Sequence, residues 1–255
     1  MRLEAGEARV VVDPEAGGRI ASLAVAGLEL LVAREHDPFR WGCYPMAPFA
    51  GRLRRGQFTH DGRTHALPLN LPPHAIHGTV CDRPWQQPSP GTLRIDLGPD
   101  WPFAGHAVQQ FALDADGLDL RLSVHAEREP FPASIGWHPW FRRELDRGEP
   151  ARLSFSAGSM YCRDEEGIPT GERVPAPAGP WDDCFSDLAG PPSIAWPGAL
   201  QLCLASDASH WVVYDEPSHA LCVEPQSGPP DALTLEPRIV TPDRPLELQT
   251  RLTWT

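Results

Sequence analysis

Apolar and polar residues alternate along much of this chain in short runs and never settle into the spacing of a helix. Leu118, Leu120, Leu122 and Val124 are set against Asp119, Arg121, Ser123 and His125, the period-two pattern of a strand with one buried face. Residues 106–113 alternate more loosely, and the turn at Asp114 to Gly117 predicts a hairpin joining the two runs. Alternating or β-branched runs at 8–12, 20–25 and 28–32 are punctuated by Gly17-Gly18 and Ala26-Gly27. His60-Asp61-Gly62-Arg63 predicts a second hairpin, between 57–59 and 64–67. Further runs lie at 153–156, 200–205, 211–214, 220–223 and 246–254. Helical periodicity lasts no longer than two turns anywhere, so the expectation is all-β: an antiparallel sandwich or barrel of a dozen or more strands.

Between these runs lie Pro-rich stretches at 70–77, 127–141, 169–187 and 224–230, read from the pattern as irregular loops. Binding residues concentrate on loops carried by a rigid sheet, and the histidines, acids and tryptophans gather in these four. No internal repeat or composition break marks a linker, and 255 residues suit one all-β domain over 1–255.

Composition narrows the chemistry. A net charge of −12 leaves no basic field for nucleic acid or an anionic membrane. All 22 basic residues are arginine, which removes Schiff-base catalysis and the P-loop lysine. The six cysteines are dispersed with no CxxC pair, so neither a zinc ribbon nor a redox dithiol is expected and the thiols are read as reduced. The first residues lack the basic-then-apolar pattern of a signal peptide, and no apolar run reaches transmembrane length; a cytoplasmic location is the expectation.

Three segments could carry chemistry. Ile135-Gly136-Trp137-His138-Pro139-Trp140-Phe141 holds a histidine between two tryptophans, either a general acid beside a sugar-stacking platform or a partly buried loop anchor. His74 and His77 stand three apart in Leu71-Pro72-Pro73-His74-Ala75-Ile76-His77-Gly78. The two prolines oppose a helix and no acidic third ligand is near, so a metal site is not expected. Glu224 follows the apolar run Leu221-Cys222-Val223 and leads into a Pro/Gly segment, placed either for general base work at a shifted pKa or as an exposed strand-end acid.

Taken together, these segments resemble the aldose 1-epimerase (mutarotase) family over almost the whole chain. Residues 10–33 are similar to its N-terminal Gly-Gly-x-Ile-x-Ser-Leu strands. Gly51-Arg52-Leu53 resembles its Asn-Arg-Ile segment, Ala75-Ile76-His77-Gly78 its His-Gly motif, and His138-Pro139-Trp140-Phe141 its His-Pro-Tyr-Phe motif. Val223-Glu224-Pro225-Gln226 resembles the segment with its catalytic glutamate, and Trp181-Asp182-Asp183-Cys184-Phe185 its Asp-x-x-Phe, with Asp183 an alternative register for the aspartate. Three departures are Gly51 for asparagine, Trp140 for tyrosine, and a short chain.

The resemblance implies a galactose-mutarotase-like β-sandwich that exchanges the α and β anomers of a free aldose, with no metal or other cofactor. It makes Glu224 the base and His138 the acid, with Arg52, His77 and Asp182 on the sugar and Trp137 or Trp140 stacking on its apolar face. Two alternatives stay open: a hexose-6-phosphate 1-epimerase, with Arg83 the best phosphate ligand, and a non-catalytic sugar-binding protein.

Overall fold

The computed structural model describes residues 1–255. Two large antiparallel sheets face one another. The first has twelve strands and follows the path Arg2–Ala5, Ala8–Asp13, Arg19–Val25, Cys43–Met46, Gly136–Pro139, Ala220–Gln226, His210–Tyr214, Asp182–Leu188, Ala157–Arg163, Pro169–Val174, with Leu28–Glu29 and Phe141–Arg142 pairing off it. The second has eight, ordered Gln86–Ser89, Thr92–Asp96, Gly105–Leu113, Gly117–Ala126, Leu246–Trp254, Leu200–Ser206, Ser193–Trp196, Arg152–Ser154. The only α-helix is Ala232–Leu235, and no helix is long and apolar enough to cross a membrane.

Alternation decides what lies between the sheets. Val10, Val12 and Leu23 of the first meet Leu118, Leu120, Leu122, Val124, Leu202, Leu204, Leu248 and Leu252 of the second in one cluster of 47 buried residues. Burying side chains of this kind contributes roughly 1.5–3 kcal/mol each, enough to fix the register, since a one-residue slip would turn every leucine of Gly117–Ala126 to solvent. The predicted hairpins form as read: Gln57–His60 pairs Arg63–Ala66, with Asp61 and Gly62 both at positive φ in the turn, and Gly105–Leu113 pairs Gly117–Ala126. Residues 28–32 give only the two-residue strand Leu28–Glu29.

The Pro-rich stretches depart from expectation. Residues 127–141 contain the strands Phe131–Ala133 and Gly136–Pro139, and 169–187 contain Pro169–Val174 and most of Asp182–Leu188. Glu224 lies inside the strand Ala220–Gln226 and does not end it. Proline is compatible with these strands where its missing N–H removes no ladder bond. The segments holding His138, Asp182 and Glu224 are therefore strands of the first sheet, whereas Ala75–Ile76, beside His77, pairs only with Arg52–Leu53.

Candidate active site

Side chains directly opposite one another in antiparallel strands share a face, and the register of the first sheet draws one row across it. Tyr44 lies opposite His138; Gly136 lies opposite Gln226, and two residues further along the same register set His138 opposite Glu224. Glu224 faces Val212 and Val212 faces Cys184. Cys222, Tyr214 and Asp182 form the next row. Tyr44, His138, Val212, Cys184, Glu224, Tyr214 and Asp182 all line a cleft of about 300 Å³, at the small end of ligand pockets and of monosaccharide scale.

His138 and Glu224 are both almost wholly buried, and His138 Nε2 stands 3.2 Å from Glu224 Oε1. His138 is stacked on Tyr44 (centroids 4.9 Å apart) and on Trp140 (5.3 Å), which fixes the plane of its ring. Burial pushes the His138 imidazolium down to about 3 and, with the nearby Asp182 charge adding to it, raises the Glu224 carboxyl well above the ordinary range. Desolvation disfavours the charged form of each group.

The walls are built from loops. His77 has φ +60°, donates its backbone N–H to Gly51 O, and sets its ring edge-on to His138 at 5.1 Å; burial and the neighbouring His138 keep it neutral. Arg52 approaches Asp182 at 3.9 Å, and Arg163 binds Asp182 at 3.3 Å and Asp183 at 2.8 Å. Burial outweighs both guanidiniums and raises the Asp182 carboxyl above its ordinary value. Both aspartates line the cleft, but Asp182 shares the face of Cys184 and Tyr214. The turn after Arg163 is latched over the site by ion pairs from Arg54 to Asp164 and Glu166 and from Arg55 to Glu166.

Five expected site residues, Arg52, His77, His138, Asp182 and Glu224, converge on this cleft, and Trp140 lines it too. Trp137 does not. It points to the other face of its strand, into the core between the sheets, with its Nε1–H donated to Gln109 Oε1; strand parity sends neighbours His138 and Trp137 opposite ways. Trp140 has its ring stacked against His138 and His219, so it braces the imidazole. His74 Nδ1 accepts from the Arg55 N–H, away from His77. Arg83 spends one guanidinium nitrogen on the carbonyls of Thr79, Asp96 and Leu97 and does not line the cleft. Tyr44, Arg163 and Gln226 line the site without having been singled out from sequence. Of the five buried side-chain polar atoms without a partner, four belong to cleft residues: His77 Nδ1, His138 Nδ1, Trp140 Nε1 and Gln226 Oε1. Such groups are costly in a finished fold, and they concentrate around this cleft.

The family model for aldose 1-epimerase matches residues 1–187. This chain belongs to the aldose 1-epimerase family. The match with YphB of Escherichia coli K12 is 32% identical over 105 residues, 39% of this chain and only 36% of that protein. A galactose mutarotase-like protein from Clostridium acetobutylicum superposes with a TM-score of 0.86 at 17% identity, covering 100% of this chain and 94% of that one. The galactose 1-epimerase of Lactobacillus acidophilus gives 0.81 at 18%, covering 100% and 93%. At such identities the structures establish the fold, a galactose-mutarotase-like β-sandwich, and family membership supports a general aldose epimerase or mutarotase-like function. The family match ends before Glu224, so the carboxylate's place in the site rests on the sheet register and on its contact with His138. The one trio able to share a metal ion is His138, Cys222 and Glu224, with ligand atoms all within 4.8 Å; two of the three already face each other at 3.2 Å.

Proposed function

We propose that this member of the aldose 1-epimerase family interconverts the α and β anomers of an unphosphorylated hexose by acid/base ring opening. The observation that supports it most is the isolated, buried contact between His138 Nε2 and Glu224 Oε1, a proton-transfer pair at the centre of a monosaccharide-sized cleft. Glu224, as the carboxylate, takes the proton from the C1 hydroxyl while His138, as the imidazolium, gives one to the ring oxygen; the C1–O5 bond breaks and an open-chain aldehyde results. Rotation about C1–C2 presents the other carbonyl face. O5 attacks C1, its proton returns to His138, and Glu224 returns the first proton to O1. Atoms and charge balance, and no electron is exchanged.

Burial favours the form in which Glu224 is protonated and His138 neutral, which is the form present with the open-chain aldehyde. The ring-opening step thus moves the pair towards its preferred uncharged state, and the site's low polarity assists the harder half of the reaction. His77 and Arg52 donate to ring or hydroxyl oxygens, and Asp182 accepts from sugar hydroxyls.

The cleft arginines favour a neutral sugar. Arg52 and Arg163 face Asp182 and Asp183, and Arg40 faces Asp37 at 3.8 Å, so the positive charge around the cleft is already balanced by carboxylates, whereas a phosphate is normally held by several unopposed donors. Polarimetry of freshly dissolved α-D-glucose and α-D-galactose tests the reading directly. Acceleration of the approach to rotational equilibrium is expected; tight binding without acceleration would show a carbohydrate-binding protein, and a hundredfold preference for glucose 6-phosphate would show a sugar-phosphate epimerase. Arg83→Ala should lower the melting temperature slightly and leave the relative kcat/KM for glucose and glucose 6-phosphate within about threefold, since it removes partly buried hydrogen bonds away from the cleft. Exhaustive chelation should leave the rate unchanged, because the two proton transfers need no Lewis acid; zinc-restorable loss would overturn that mechanism.

A further inference from the structure

Gln226 is completely buried and lies on the cleft face two residues beyond Glu224. Its Nε2–H donates to Glu224 Oε2 at 3.1 Å, while its own Oε1 has no partner. A buried amide oxygen without a donor costs stability, so a hydrocarbon of similar volume would serve the fold at least as well. What the amide adds is a donor aimed at one particular carboxyl oxygen. The other, Oε1, faces His138 Nε2 at 3.2 Å. When Glu224 holds a proton, the amide hydrogen already beside Oε2 repels a second one there, so the proton sits on Oε1, in line with the imidazole. When Glu224 is ionised, the same hydrogen bond supports the anion.

We propose that Gln226 is a positioning residue that directs the proton of the Glu224–His138 pair onto the Oε1–Nε2 line and steadies the carboxylate that accepts the C1 hydroxyl proton. The proposal rests on the anomer-exchange reading for its kinetic consequence, though its electrostatic consequence is measurable without any sugar. It is specific about direction: losing a donor to the anion raises the proton affinity of Glu224, whereas losing an acceptor would lower it.

The test compares the wild-type protein with Gln226→Leu and Gln226→Glu. In Gln226→Leu, kcat is expected to fall ~10–100-fold with KM within about threefold, the pattern of a contact that matters most in the transition state. The acidic limb of the kcat–pH profile should move up by about one unit, equivalent to a tenfold change in proton concentration. In protein labelled with ¹³C at glutamate carboxyls, the Glu224 resonance, assigned by its loss in Glu224→Gln, should titrate at higher pH than in wild type with no ligand present. The melting temperature should be unchanged or higher. In Gln226→Glu the new carboxyl can still donate when protonated, so activity should recover on the acidic side only. An unchanged pH profile and resonance, a downward shift of either, or an activity loss that merely follows a lower melting temperature would overturn the assignment. Absence of any mutarotation by wild type alongside the expected resonance shift would sink the sugar reading and leave Gln226 in its role.

Discussion

Glu224→Gln is expected to abolish catalysed mutarotation, with a loss of ~10²–10⁴ in rate, while sugar affinity stays within a few fold. The amide keeps the volume and can still hydrogen-bond His138 and Gln226, but it cannot take a proton from C1–OH. Retention of half the wild-type rate would remove Glu224 from the mechanism. The same variant should be more stable than wild type. Burial raises the folded-state pKa of Glu224, so the folded protein favours the protonated acid; that advantage is complete below the unfolded pKa near 4.5 and disappears as pH rises through the folded value. Glutamine has no such dependence. Melting temperatures should therefore converge near pH 4 and diverge towards pH 8, with Glu224→Gln the higher. His138, whose pKa is pushed down to about 3, acts in the other sense in both proteins: its contribution is present above about 6.5 and is lost as pH falls towards 3.

Gly78→Ala is expected to damage fold and site together. A Cβ at Gly78 would lie 1.9 Å from Ala47 O, at a φ of +81°, and that carbonyl also accepts from the Thr79 N–H. Neither backbone can yield without moving His77, the residue immediately before. The overlap and the left-handed backbone together should cost about 2–4 kcal/mol, or roughly 5–15 °C in melting temperature for a chain of this size. Displacing His77 should also cost tenfold or more in kcat/KM, as small misplacements in a site do. Gly27→Ala is the control: its φ of +78° is similar but nothing lies within 4 Å of the added Cβ, so a loss of only about 1 kcal/mol is expected. Equal melting temperatures for the two variants would show that the contact at Ala47 is not the source of the damage.

The contrast between those two glycines shows what a sequence can and cannot carry. Asp61-Gly62 was legible as a turn because both residues act locally, through their own φ. The strand of Leu118, Leu120, Leu122 and Val124 was legible because one face is wet. The strand holding His138 was not: Gly136–Pro139 is buried on both faces, so Trp137 and His138 look alike in pattern, and only pairing with Cys43–Met46 and Ala220–Gln226 separates core from cleft. Read as a loop, the segment offered Trp137 to the cleft, whereas its side chain packs between the sheets. Tyr44 and Gln226 escaped notice because each acquires its meaning from a residue far away in the chain, across a sheet register. Arg83 looked available because its carbonyl partners are backbone atoms, which no side-chain pattern announces.

The strand order has a consequence for the newborn chain. Leu246–Trp254 sits between Gly117–Ala126 and Leu200–Ser206 in the second sheet, pairing with both along most of its length. As the ribosome works, Gly117–Ala126 emerges with one edge taken by Gly105–Leu113 and the other bare, its leucines unroofed, until the far end of the sequence has been made. An open apolar edge of that length is a template for unwanted pairing. The longer that edge stays open, the greater the chance of mispairing, so slowed translation past residue 200 should cost more soluble protein than an equal pause before residue 100.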